Sequence, residues 1–151
     1  MADTLRKRME DDLKTAMRGG DTVGRDTIRF LLAAIKNAEI DKRVSLDSAE
    51  EISLLQRQAR RQRESIEQFR AGGRNDLAER EEAQLAILNR YLPAELSDLE
   101  VEELARQVVT DVGASAMNDL ARVMPVLTER AGGRADGKRL SAAVKKVLNP
   151  A

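Results

Sequence analysis

The chain has 151 residues, 42% apolar and 34% charged, with 26 Lys plus Arg against 26 Asp plus Glu and neither His nor Cys. Without those two residue types there is no zinc cage, thiol nucleophile, disulfide, or Ser-His-Asp or Cys-His relay, since each needs a soft ligand or a base titrating near neutrality. The high charged fraction, with 9 Gly, 3 Pro and 2% aromatics, points to an all-α protein built as one ordinary domain or two small ones.

Leu5, Met9, Leu13, Ala16 and Met17 recur at steps of three and four and stop at Gly19-Gly20, which predicts a first helix closed by a left-handed glycine. Asp21 and Thr22 are caps for a second helix, whose wider stripe Ile28, Leu31, Leu32 and Ile35 runs to the polar turn Asp41-Lys42-Arg43. Asp47 or Ser48 caps a third, reaching Ala71. Its narrow seam of Ile52, Leu55, Ala59, Gln62, Ile66 and Phe69 suits a long helix with one neighbour. Whether that seam pairs within or between chains stays open.

Gly72-Gly73 ends the third helix, and Asn75 or Asp76 opens a fourth carrying Leu77, Leu85, Leu88 and Leu92. So short a connection implies an antiparallel hairpin. Phe30 and Phe69, two of the three aromatics, fall at core or seam spacing. Pro93 stops the fourth helix. The expected domains are therefore residues 1–93, an N-terminal helical domain with the long hairpin, and 97–151, a small three-helix bundle. Ser97-Asp98-Leu99-Glu100 has the spacing of a capping box. Two further helices follow, one with Met117, Leu120, Met124 and Leu127, the other capped by Asp136 with Leu140, Val144, Val147 and Leu148. Pro125 interrupts the former, so that helix is expected to kink or to start late.

No apolar run is long enough to cross a membrane, and Met1-Ala2-Asp3-Thr4-Leu5-Arg6 does not have the form of an export signal. The expectation is a cytoplasmic protein with no membrane partner.

The zero net charge is an average over segregated segments. Residues 95–119 carry seven acids and one base; residues 120–151 carry seven bases and two acids; residues 53–74 carry six arginines and two glutamates. A partner senses charge within a Debye length, about 8 Å at physiological salt. Two outcomes are open: the opposite charges pair inside the protein, or a basic face meets a polyanion. With so few aromatics, base stacking is not the mode, and any RNA contact is to backbone and shape. The loop Gly132-Gly133-Arg134-Ala135-Asp136-Gly137-Lys138 is likewise open between a helix stop followed by an Asp cap and a phosphate cradle at a helix start.

Four stretches carry a resemblance: Ser65-Ile66-Glu67-Gln68-Phe69-Arg70, Gly73-Arg74-Asn75-Asp76-Leu77, Ile87-Leu88-Asn89-Arg90-Tyr91-Leu92-Pro93 and Gly133-Arg134-Ala135-Asp136-Gly137-Lys138. In order and spacing, from about Leu5 to Leu148, the chain resembles the GatB/YqeY family, specifically its small stand-alone YqeY-like members. The family includes the tail of the GatB component of the aspartyl/glutamyl-tRNA amidotransferase. The resemblance implies an all-helical two-part fold and, for the tail, a role in holding the outer corner of tRNA while another domain does the chemistry. It implies no established reaction for the stand-alone proteins. A carbon-nitrogen ligase label with glutamine as amide donor belongs to the amidotransferase, whose Ser-rich amidase signature is missing from this sequence. The chain departs from the family where Pro125 and Leu127-Thr128-Glu129-Arg130 replace a more lysine-rich segment.

The expectation is thus a non-catalytic tRNA-binding or accessory module, with no cofactor and no metal, whose partner is tRNA or a tRNA-processing enzyme. Its phosphate contacts would be Arg122, Arg130, Arg134, Lys138, Arg139, Lys145 and Lys146. The alternative is a protein-protein adaptor that docks through the acidic segment or through the arginine face of the third helix, Arg57, Arg60, Arg61, Arg63 and Arg70. Carboxylate chemistry by Glu79, Glu81 and Glu82 is a weaker third idea.

Overall fold

The computed structural model describes residues 4–150. Those residues form helices α1 (Leu5–Arg18), α2 (Thr22–Lys42), α3 (Ser48–Ala71), α4 (Asn75–Asn89), α5 (Asp98–Val112), α6 (Leu120–Ala131) and α7 (Gly137–Leu148). A 3-10 turn at Met117–Asp119 precedes α6, and there is no strand among the described residues. The fold is all-α and multihelical, and it divides into two compact units, Met1–Leu92 and Pro93–Ala151.

Local chemistry sets most helix ends. The side chains of Thr4, Asp21 and Asp136 accept from the backbone N–H groups of Lys7, Gly24 and Arg139. Asp47 with Glu50, and Ser97 with Glu100, close reciprocal capping boxes, each satisfying two donors that a helix start leaves open. Helix α2 runs through Asp41-Lys42, where a turn was expected, and stops at Arg43 with φ 59°. Arg43 is the one non-glycine residue with positive φ among those described. At the end of α6, Gly132 takes the same region, φ 58°, without the clash a Cβ brings.

In the first unit, Met9 of α1, Ile28, Leu31 and Ile35 of α2, Leu55 and Ala59 of α3, and Ile87 and Leu88 of α4 form one core with Leu46 and Tyr91. Full burial of such a side chain stabilises by about 1.5–3 kcal/mol. Helix α3 lies mainly on α4, as the short Gly-Gly connection implies, so its seam pairs within the chain. Tyr91 is the core aromatic, and its hydroxyl donates to Asp12 Oδ2 at 2.5 Å beneath the Arg8 guanidinium. Burial first, then Asp12, pushes the phenol above its ordinary range. Phe30 departs from the sequence expectation: it is 56% exposed, because Ile28, Leu31 and Ile35 define the buried stripe and Phe30 falls off it.

In the second unit, α5, α6 and α7 each pack on the other two. Val101, Ala105 and Val108 meet Val123 and Leu127 of α6 and Leu140 and Val144 of α7. Leu96 joins this core, and its backbone is pinned from both sides. Its N–H donates to the Arg134 carbonyl at 2.9 Å, and its own carbonyl accepts from Arg139 at 2.8 Å. Pro125 sits inside α6, which starts at Leu120 rather than at Met117 because the first three residues of the pattern form the 3-10 turn. Proline has no N–H for the Ala121 carbonyl, and both residues lie on the exposed side of α6.

Candidate nucleic-acid interface

The seven basic residues singled out in the sequence lie on α6, on α7 and in the loop between them, and the fold gives them three different roles. Arg122, Arg130, Arg139 and Lys146 are paired with acids. Arg122 donates to Asp119 at 3.2 Å and to the Val112 carbonyl at 3.3 Å. Arg130 reaches Asp111 at 2.6 Å, Arg139 reaches Asp98 at 2.9 Å, and Lys146 lies 3.6 Å from Glu102. Three of these acids belong to α5. The acidic segment and the basic segment of the sequence therefore largely neutralise each other across this small bundle.

Arg134 has a structural role. Its guanidinium donates to the carbonyls of Ala131 at 2.9 Å and Arg130 at 3.1 Å, closing the last turn of α6. In the same loop Asp136 caps α7 by accepting from the Arg139 N–H at 2.8 Å. The loop thus takes the form of a glycine stop followed by an Asp cap. A carboxylate occupies the position where a phosphate cradle would hold its anion, and like charge opposes a second one there.

Lys138 and Lys145 remain. Both are exposed, and neither side chain has an ion or hydrogen-bond partner among the described residues. Seven residues are close to two helical turns, so the two side chains share one face of α7, with exposed Ala142 between them. Lys146, 70% exposed and only loosely held by Glu102, borders that face. The second unit therefore presents a compact lysine face rather than a seven-residue basic patch.

The pairing had a signal in the sequence. Asp98 and Glu102 are four apart, on one face of α5, and Arg139 and Lys146 are seven apart, on one face of α7. What the spacing alone does not give is that these two faces meet. Asp119, whose carboxylate accepts from the backbone N–H groups of Ser115 and Ala116 and then from Arg122, is held below the usual carboxylate range by those bonds in that order.

Elsewhere, Arg57, Arg60 and Arg61 on α3 have no ion partner among the described residues, whereas Arg70 is paired with Glu82. Glu81 accepts from Gln62 Nε2, so two of the three carboxylates of the weaker catalytic idea are already engaged. No group of three or more metal-ligating side chains is gathered among the described residues. A cluster that periodicity did not reveal joins α1, α2 and α3. Arg6 bonds Glu39 at 2.5 Å and Glu51 at 3.3 Å, and Glu51 is only 5% exposed. Glu39 also accepts from the Leu46 N–H at 2.8 Å, so Arg6 first and then that N–H hold its carboxyl below its ordinary value.

Comparison of the sequence with known proteins shows its family. Three relatives carry the name "Altered inheritance of mitochondria protein 41, mitochondrial". The protein from Pyrenophora tritici-repentis is 34% identical over 93% of this chain and 79% of its own length. That from Eremothecium gossypii is 39% identical over 64% of this chain and 53% of its own length, and that from Saccharomyces cerevisiae is 28% identical over 80% and 67%. The chain thus spans between about half and four fifths of the length of these relatives. Their names overturn the cytoplasmic expectation. It rested on the lack of an export-like N-terminus, and that feature says nothing about proteins named as mitochondrial. The family model described as "Yqey-like protein" matches residues 6–148, from the first turn of α1 to the last of α7, and the chain belongs to that family.

Proposed function

We propose that the protein is a non-catalytic accessory module that lays the lysine face of α7 along the phosphate backbone of a folded RNA, with tRNA as the RNA class. The carrying observation is the separation of roles among the basic residues: Lys138 and Lys145 stand exposed and unpaired on one face, while Arg122, Arg130 and Arg139 are engaged by acids. Lysine on a rigid helix contacts phosphate as a point charge and reads no sequence, which suits a module that holds an RNA while another protein acts on it.

Filter binding with total tRNA tests this. Each lost phosphate contact removes somewhat less than one unit from the log-log salt slope, so Lys138→Gln with Lys145→Gln flattens it by about 1.5 units. Arg130→Gln leaves it unchanged, since Arg130 is held by Asp111. Absence of binding at low salt, or equal effects of all three substitutions, overturns the proposal.

A second reading is favoured by one observation, the unpaired arginines Arg57, Arg60 and Arg61 on α3. It is a protein adaptor whose partner presents an acidic face. Pull-down after nuclease treatment separates the two: a partner retained without RNA and lost with Arg57→Gln plus Arg61→Gln supports the adaptor, and a partner lost with the RNA supports the first reading.

A further inference from the structure

Helix α2 buries Ile28, Leu31 and Ile35, and the side turned away from that core carries a second periodic pattern. Val23, Asp26, Phe30, Ala33, Asn37 and Ile40 follow one another at alternating steps of three and four, and all six are exposed. Such steps bring residues onto one line of a helix, so these positions form a seam along almost the whole of Thr22–Lys42. Three large apolar side chains stand on it in the open, Val23 at 44%, Phe30 at 56% and Ile40 at 63% exposure. Apolar side chains exposed singly need no explanation, whereas a row of them at one spacing does.

The spacing is that of a helix that pairs with another helix, with Val23, Phe30 and Asn37 at the a positions of the heptad and Asp26, Ala33 and Ile40 at the d positions. A lipid surface fits this line poorly, because Asp26 and Asn37 lie within it and placing them in hydrocarbon is unfavourable. Between two helices a polar residue at an a position is tolerated and fixes the register. One flank of the seam, the g positions, is basic: Arg29 and Lys36, with Arg43 at the helix end, are exposed and in no ion pair among the described residues. The other flank, Thr27, Ala34 and Asp41, has no base.

The flanks decide what covers the seam. A second copy of α2 does not supply the complement: antiparallel pairing sets the flank of Arg29 and Lys36 against itself, and parallel pairing sets Asp26 against Asp26. A helix with acids on the facing flank meets both the apolar line and the charge. We propose that the seam of α2 docks an amphipathic helix of another protein, whose apolar a and d residues pack on Val23, Phe30, Ala33 and Ile40 and whose acidic flank faces Arg29 and Lys36. The site lies wholly within the first unit, so it stands or falls independently of RNA contact through α7.

The test uses the full chain and a labelled synthetic peptide of three heptads, with Val at a, Leu at d and Glu at e and g, followed by fluorescence anisotropy and by the gain of helical circular dichroism. Its twin carries Lys at e and g. The expected result is saturable binding of the acidic peptide, with the Lys twin roughly tenfold weaker, the worth of a few exposed charge pairs. Phe30→Gln with Ile40→Gln weakens the acidic peptide by more than about tenfold, the worth of one large apolar side chain buried. Arg29→Glu with Lys36→Glu reverses the preference between the twins, which an apolar surface that is merely adhesive does not do. Arg57→Gln with Arg61→Gln, on α3, leaves the binding unchanged. All the substituted side chains on α2 are exposed, and thermal melting confirms that each variant is folded. No saturable binding, equal binding of the twins, or acidic-peptide binding unchanged in the folded Phe30→Gln, Ile40→Gln protein overturns the proposal. So does a dimer of the chain alone in sedimentation velocity that this variant abolishes, which assigns the seam to a second copy. Flotation with phosphatidylglycerol vesicles that is lost in the same variant overturns it too, in favour of a lipid surface.

Discussion

Two residues show how a single side chain is tied to stability. Arg43 closes α2 in the left-handed region, at φ 59°, where an L-residue costs roughly 1–2 kcal/mol through its Cβ. Glycine removes that clash but has more unfolded-state freedom to lose, about 0.5–1 kcal/mol. Arg43→Gly is therefore expected to stabilise the first unit by about 0.5–1 kcal/mol, read as a higher denaturation midpoint at an unchanged slope. Glu39 carries the pH dependence. Its carboxyl is held below the ordinary 4.5, chiefly by Arg6. A depressed folded-state pKa stabilises above the unfolded value, and that contribution is lost as pH falls through the folded value. Acid unfolding is expected to steepen below about pH 4.5, and Glu39→Gln to lower stability at neutral pH and flatten that limb. Parallel acid limbs for the two proteins would contradict this.

Helix by helix, what the sequence disclosed is what local chemistry controls. The Asp47 and Ser97 caps, the Gly-Gly stops and the hairpin of α3 with α4 all depend on residues within a few positions of each other. The stripe Ile28, Leu31 and Ile35 likewise turned inward as its spacing required. The rest depends on how a helix is rotated against neighbours distant in sequence. For that reason Phe30, at core or seam spacing in the sequence, is exposed in the structure, and periodicity does not reveal the Arg6 cluster. The candidate site was legible only in part: the basic character of α6 and α7 could be read, but not which of its members α5 would neutralise. Pro125 belongs to this scale too. It interrupts an exposed stretch of α6, and Pro125→Ala restores the N–H that the Ala121 carbonyl lacks. The substitution is expected to stabilise the second unit by about 1–3 kcal/mol, less than the full interior penalty where the local backbone has already adapted. Chemical denaturation measures it, and a lower midpoint would contradict the account of that helix.

For the molecule as a whole, the balance of 26 bases and 26 acids is a sum over segments of opposite sign, and in the second unit those segments meet in space. Within the second unit the acidic α5 holds Arg130, Arg139 and Lys146, so a segment that reads as strongly basic presents mainly Lys138 and Lys145, with Lys146 at the edge. Surface pairs of this kind contribute little to stability and are weakened by salt. Their consequence is for recognition, because they subtract counter-charges from any contact with a polyanion. The salt dependence of tRNA binding counts the contacts that remain. A lysine face of three residues gives a log-log slope between about −2 and −3, whereas engagement of all seven basic residues gives about −5 to −6. The central claim is that α7 alone supplies the contact. It predicts the shallower slope in the wild-type protein, unchanged by Arg57→Gln with Arg61→Gln. A slope near −5 or steeper, or no binding at low salt, would contradict it.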